Sequence, residues 1–182
     1  MILRCTSRML ELVGSNSLLV DRPADDDDWY ANAFYVERKK CILLVHARTL
    51  FSAITLDVAV RFLRPVDTFV LAQIDQALEA EGLPLDALGV TGDEDVQLAR
   101  TASRSVLASM NDMVQMIRQI VAHEGGIRAC DATTLGRFLH NTPNGARGFS
   151  TPLELVSLPN GSSSLGLNSP SHASAPNPRG SL

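Results

Sequence analysis

The sequence predicts a single α+β domain, in which a small, mostly antiparallel sheet built on a 29–45 hairpin packs against two longer helices, near 65–81 and 104–124. Three observations carry this expectation. Trp29, Ala31, Ala33 and Tyr35 alternate with Tyr30, Asn32, Phe34 and Val36, and aromatic and β-branched residues suit a pleated surface. Cys41-Ile42-Leu43-Leu44-Val45 is a continuous apolar run, the pattern of a strand covered on both faces. Val106, Met110, Met113, Val114, Ile117, Ile120 and Val121 recur at helical spacing and form one apolar stripe.

The remaining elements follow in chain order. Ile2 to Thr6 reads as a short strand, and Ser7 is placed to cap a helix over Arg8 to Val13 that Gly14 ends. A polar loop runs to Asp28. Glu37-Arg38-Lys39-Lys40 is a break of hairpin length without the Asn-Gly or Asp-Gly pair of the tightest turns. Ser52 to Leu56 reads as a further strand after a short connection at 46–51. Pro65 suits the first helical position, and Gly82 stops that helix. Val96 to Arg100 reads as an edge strand. Ser103 caps the long helix, Gly125-Gly126 ends it, and Asp131 caps a short one through Leu139.

Composition narrows the class. The chain is 45% hydrophobic and 20% charged, as in ordinary globular proteins. The formal net charge is −4, which disfavours nucleic-acid binding through Arg38-Lys39-Lys40. Asp25 to Asp28 is a solvated run of like charge and lacks the alternate spacing and glycine turn of a calcium loop. Cys5, Cys41 and Cys130 form no C-x-x-C pair, so they read as reduced thiols of a cytoplasmic protein. Arg4 and Arg8 interrupt the start of the chain, which therefore does not read as a signal peptide, and no apolar run approaches the ~20 residues that span a bilayer. Ser, Pro, Gly and Asn fill 18 of the 26 positions from 157 to 182. That composition predicts a disordered tail and a domain of residues 1–156.

The residues imply no metal site and no cofactor, since the four histidines are dispersed and no nucleotide loop is present. Weaker candidates remain. His46 ends the buried strand near Arg48; a structural histidine is the simpler reading, a ligand group the sharper one. Cys41 follows two lysines that would lower its thiol pKa, against burial that would raise it. Ser103, Arg104 and Ser105 open the long helix, where free N–H groups suit an anion, although Ser103 also serves as a plain cap. Asn111 lies at the flank of the apolar stripe, where its amide would bond hairpin backbone or a ligand, and Asp112 follows it. Trp29, Tyr30 and Asn32 offer aromatic faces and polar handles that suit an interface or a core equally.

The segments Ile2–Thr6, Asp28-Trp29-Tyr30-Ala31-Asn32, Arg38–Leu44, Thr49-Leu50-Phe51-Ser52 and Arg104–Met113, in that order, resemble a family of bacterial proteins described only as a domain of unknown function. The resemblance spans most of residues 1–125 and implies a bacterial, cytoplasmic protein. It implies no reaction. Ala108 stands where the family pattern has glycine, and the Ser/Pro-rich tail is no part of it. The leading expectation is a binding or regulatory module with a protein partner. The alternative is an enzyme or binding protein for a phosphate- or carboxylate-bearing ligand. Its pocket would lie between the hairpin and the 104–124 helix, with Arg48 and Arg104 holding the anion.

Overall fold

A computed structural model describes residues 1–14, 19–92 and 94–157. Its strands are β1 (Ile2–Cys5), β2 (Trp29–Val36), β3 (Lys39–His46), β4 (Ser52–Thr55) and β5 (Gln97–Arg100). Its helices are α1 (Ser7–Val13), α2 (Val66–Ala80), α3 (Arg104–His123), α4 (Ala132–His140) and α5 (Pro152–Ser157). The expected tail lies, beyond Ser157, outside the described residues.

The fold is α+β, as the periodicities imply. The strands form one sheet in the order β4-β3-β2-β1-β5. The longest ladder, β2–β3, and the β3–β4 ladder are antiparallel, and together they pair more positions than the parallel ladders do, so the sheet is mostly antiparallel. β1 runs parallel to both of its neighbours, β2 and β5. Parallel neighbours need a long crossover, and the helix and loop between β1 and β2 supply it. A reading of single strands shows which segments extend, not which way they run.

Alternation along the strands sorts side chains onto two faces. Leu3, Cys5, Trp29, Ala31, Ala33, Ile42 and Leu44 pack under α1 and α2 with Met9, Val70, Ile74 and Leu78. Tyr30, Phe34, Cys41, Leu43 and Val45 pack under α3 and α4 with Val106, Met110, Met113, Ile117 and Leu135. β3 is therefore covered on both faces, as its apolar run requires. β2, not β3, holds the middle of the sheet.

Local details refine the expectations. The hairpin turns in two residues, Glu37 (φ 48°) and Arg38 (φ 64°), so Lys39 and Lys40 belong to β3. Positive φ at both positions suits a tight hairpin even though neither residue is Asn or Gly. The Glu37 carboxylate compensates by accepting the Ile127 N–H at 3.1 Å. Thr6, not Ser7, caps α1: its Oγ1 accepts the Met9 N–H. Ser103 caps α3 and Asp131 caps α4, each through its side chain.

The three cysteines are free. Burial pushes the Cys5 thiol up to about 12 and raises Cys41 as well. Lys39 does not activate Cys41, because its Nζ bonds Asp57 Oδ2 at 2.9 Å. In the folded protein a thiol reagent such as DTNB should modify the partly exposed Cys130 first. Cys5 and Cys41 should react only after unfolding in urea, which a thiol count with and without urea will show.

Candidate functional site

One end of the sheet is roofed by residues 19–28, which cross from α1 to β2 as a strap. Val20 N–H bonds Leu98 O on the edge of β5 at 2.8 Å. Arg4, a lone charge in β1, is only 2% exposed and holds the strap from below. Its guanidinium donates to the Asp28 carboxylate, to Arg22 O and Pro23 O, and to Arg100 O. All three guanidinium nitrogens are used, and such a fork fixes direction as well as distance. From the other side, Ala47 N–H donates to Asp28 O (2.8 Å) and Arg48 N–H to Asp26 O (3.0 Å).

Under this strap Trp29 and His46 face each other across the β2–β3 ladder. Their ring centroids are 5.3 Å apart and tilted by 59°. His46 Nδ1 lies 3.0 Å from Thr49 Oγ1, which also accepts the Phe51 N–H. The direction of the His46–Thr49 bond sets the ring tautomer. Burial, with help from Arg48 and Arg147, pushes the imidazole pKa down to about 3, so His46 is neutral at physiological pH. Arg147 is fixed by donating to Ala47 O and Arg48 O. His46 Nε2 and the Trp29 indole N–H are buried polar groups without a partner among the described residues, an arrangement that costs stability unless a ligand or water completes it. Asp27 Oδ1 stands 4.0 Å from His46 Nε2 and 3.9 Å from Arg48 Nε, too far for direct hydrogen bonds.

His46 makes stability pH-dependent with a definite sign. The unfolded chain takes up a proton near pH 6.5 that the folded chain refuses until about 3. Stability is therefore full above about pH 6.5 and is lost as pH falls towards 3. The slope approaches about 1.4 kcal/mol per pH unit. Urea unfolding of wild type and His46→Gln from about pH 7 to about pH 4.5 should show a shallower decline in the variant.

A cleft of about 730 Å³ opens beside the strap. Trp29, Leu88 and Val90, all buried, back its apolar wall, and Asp25, Asp27, Asp95 and Arg22 form its charged one. Asp28, also at the cleft, is neutralised by Arg4. Glu94 is neutralised by the terminal ammonium of Met1 at 2.7 Å. Asp25 and Asp95 have no ion-pair partner among the described residues, and Arg22 is the one arginine or lysine in the lining, so the carboxylates outnumber the cations and the cleft is electronegative, with the buried Trp29 behind its wall.

The remaining expected site residues divide. Trp29, His46 and Arg48 come together here. Tyr30 lies on the opposite face, where its hydroxyl oxygen accepts the Ser103 N–H at 3.1 Å and ties β2 to the start of α3. Ser103 Oγ accepts the Val106 N–H, and Arg104 and Ser105 are exposed. Asn32 Oδ1 accepts from the Thr6 hydroxyl at 3.2 Å. Asn111 and Asp112 are exposed on the outer side of α3, because a 3.6-residue period turns both away from the Met110–Met113–Ile117 stripe. The space between the hairpin and α3, expected as an anion pocket, is filled by Phe34, Leu43, Val45, Met110, Met113 and Ile117.

Three residues that the sequence leaves far apart also meet. His140 Nδ1 lies 2.8 Å from Glu81 Oε1, and its Nε2 lies 2.7 Å from Ser52 O. Serine, histidine and glutamate have the composition of a catalytic triad but not its geometry. The ring nitrogen that would deprotonate the serine is engaged by the Ser52 backbone, and Ser52 Oγ has no partner among the described residues. The group acts as a latch that ties the ends of α2 and α4 to β4, with the His140 ring stacked 4.0 Å from Phe51.

Among the described residues no helix is long and apolar enough to cross a membrane. No curated protein matches the sequence. A family model covers nearly the whole described fold, from β1 into α5. The chain belongs to that family, Domain of unknown function (DUF6933), over residues 2–155.

Proposed function

We propose that this protein is a non-catalytic binding module whose cleft beside the 19–28 strap takes a basic segment of a protein partner. The observation that carries the reading is the pairing of carboxylates without an ion-pair partner among the described residues, Asp25 and Asp95, with Trp29, whose buried indole N–H has no partner among them either. A basic peptide supplies both complements. Its guanidinium or ammonium group meets the carboxylates, and its backbone carbonyl accepts from the indole, which is buried in the free protein, as the strap yields to the peptide. Bound phosphate or carboxylate would meet repulsion here. Free thiols at Cys5, Cys41 and Cys130 fit a reducing bacterial cytoplasm, which completes the reading.

Trp29 is the only tryptophan, so its fluorescence reports on this cleft alone. Tetra-arginine should change the emission saturably, and more weakly as salt rises. Tetraglutamate should leave it unchanged. The Asp25→Asn/Asp95→Asn double variant should bind tetra-arginine roughly tenfold more weakly with unchanged circular dichroism. An equal response in that variant, or none in the wild type, would overturn the proposal.

A further inference from the structure

We propose a second binding site, independent of the acidic cleft: the open edge of β4 accepts an extended peptide segment of a partner protein as an added strand. β4 is an edge strand, paired on one side only, with β3. In an antiparallel pair, successive residues direct their N–H and C=O alternately towards the partner and away from it. His46 N–H bonds Phe51 O, so Phe51, Ala53 and Thr55 face β3, while Ser52 and Ile54 turn their main chain outward. The Ser52 contacts bear this out: His140 Nε2 lies 3.3 Å from its backbone N and 2.7 Å from its C=O oxygen, and bonds one or the other by tautomer.

His140 therefore covers the edge at Ser52, as a strand would. Nothing among the described residues does so at Ile54. The other edge of the sheet is treated differently, since Val20 of the strap bonds β5 there. The β4 edge lies in a cleft of about 360 Å³ between α2 and α4. The walls keep it open, because Ala77 and Ala80 on α2 and Ala132 and Gly136 on α4 are all small. The space suits about three residues of extended chain at ~3.3 Å each.

Two further features favour a peptide over a small apolar ligand. Gln73, Gln76 and Thr133 offer amide and hydroxyl groups along the walls, suited to a neighbouring backbone. Ser52, which lines the same cleft, has a wholly buried hydroxyl with no partner among the described residues. Main-chain bonds at Ile54 would give affinity, and the small-residue walls would select compact side chains. The Glu81–His140 pair closes one end of the groove, so the added strand enters from the Leu56 end.

The test uses the full chain and a displayed library of random heptapeptides, with selected sequences synthesised for measurement. Ile54→Pro removes the outward N–H, which edge strands tolerate, together with a core side chain, so its fold is checked by circular dichroism before binding is compared. Ala77→Gln leaves the edge intact and fills the groove. Selected peptides should bind each variant roughly tenfold more weakly than wild type. In the free protein the Ile54 amide should exchange with deuterium faster than those of Ala53 and Thr55. A bound peptide should slow Ile54 exchange at least roughly tenfold and leave Trp29 fluorescence unchanged. Peptide binding that leaves Ile54 exchange unaltered, equal affinity for Ala77→Gln, or a library that yields no binder would overturn the proposal. None of these outcomes depends on the acidic cleft.

Discussion

Arg4→Met should destabilise the protein by about 3–5 kcal/mol, the range for removing one partner of a buried ion pair. Arg4 and Asp28 side chains are 3% and 5% exposed, so the abandoned carboxylate cannot recover its hydration. The backbone oxygens of Arg22, Pro23 and Arg100 lose their donor in the same step. For a domain of this size the midpoint of thermal unfolding should fall by roughly 10 °C. The strap should loosen, and tetra-arginine binding should weaken with it. Adding Asp28→Leu removes the stranded charge and should restore a substantial part of the stability, but not the binding. Urea unfolding of the two variants, with Trp29 fluorescence as the second readout, separates the energetic role of the pair from its positioning role.

The second large effect is expected at the latch. His140→Ala should cost about 3 kcal/mol. It leaves the Glu81 carboxylate buried without its partner, exposes Ser52 O and removes a ring stacked on Phe51. Glu81→Gln keeps a hydrogen-bonding group against Nδ1 and should cost less than half as much. In His140→Ala the Ser52 amide should lose its protection and exchange as Ile54 does. If His140→Ala unfolded at the wild-type urea concentration, the latch would carry no stability.

The elements were legible because each has its own period. The apolar stripe of α3 and the unbroken run of β3 are local patterns, and they place these segments within a residue or two of their observed ends. Strand direction was not legible. Nothing in Ile2–Cys5 shows that it pairs parallel with both β2 and β5. The site was legible only where neighbours in sequence stay neighbours in space: Trp29, His46 and Arg48 meet because a tight hairpin folds 29 onto 46. Arg4 carried a signal that could have been read. A charge between Leu3 and Cys5, inside an otherwise apolar strand, needs a buried partner, and the acidic run at 25–28 could supply it. Glu81 and His140 carried none. Each looks like an ordinary helix-end residue, and they meet only because α2 and α4 converge beyond the β4 edge. Asn111 misled because a polar residue beside an apolar stripe can face inward or outward for a small change in helix rotation.

The most direct test of the central claim reads the indole of Trp29 itself. With one tryptophan in the chain, an amide-correlation NMR spectrum contains a single indole Nε1–H signal. Titration with tetra-arginine should move that signal saturably, together with the amides of Asp25 and Asp95, and the Asp25→Asn/Asp95→Asn variant should show a movement reduced in proportion to its weaker binding. An indole signal that stays in place while the peptide binds elsewhere would contradict the assignment of this cleft as the binding site.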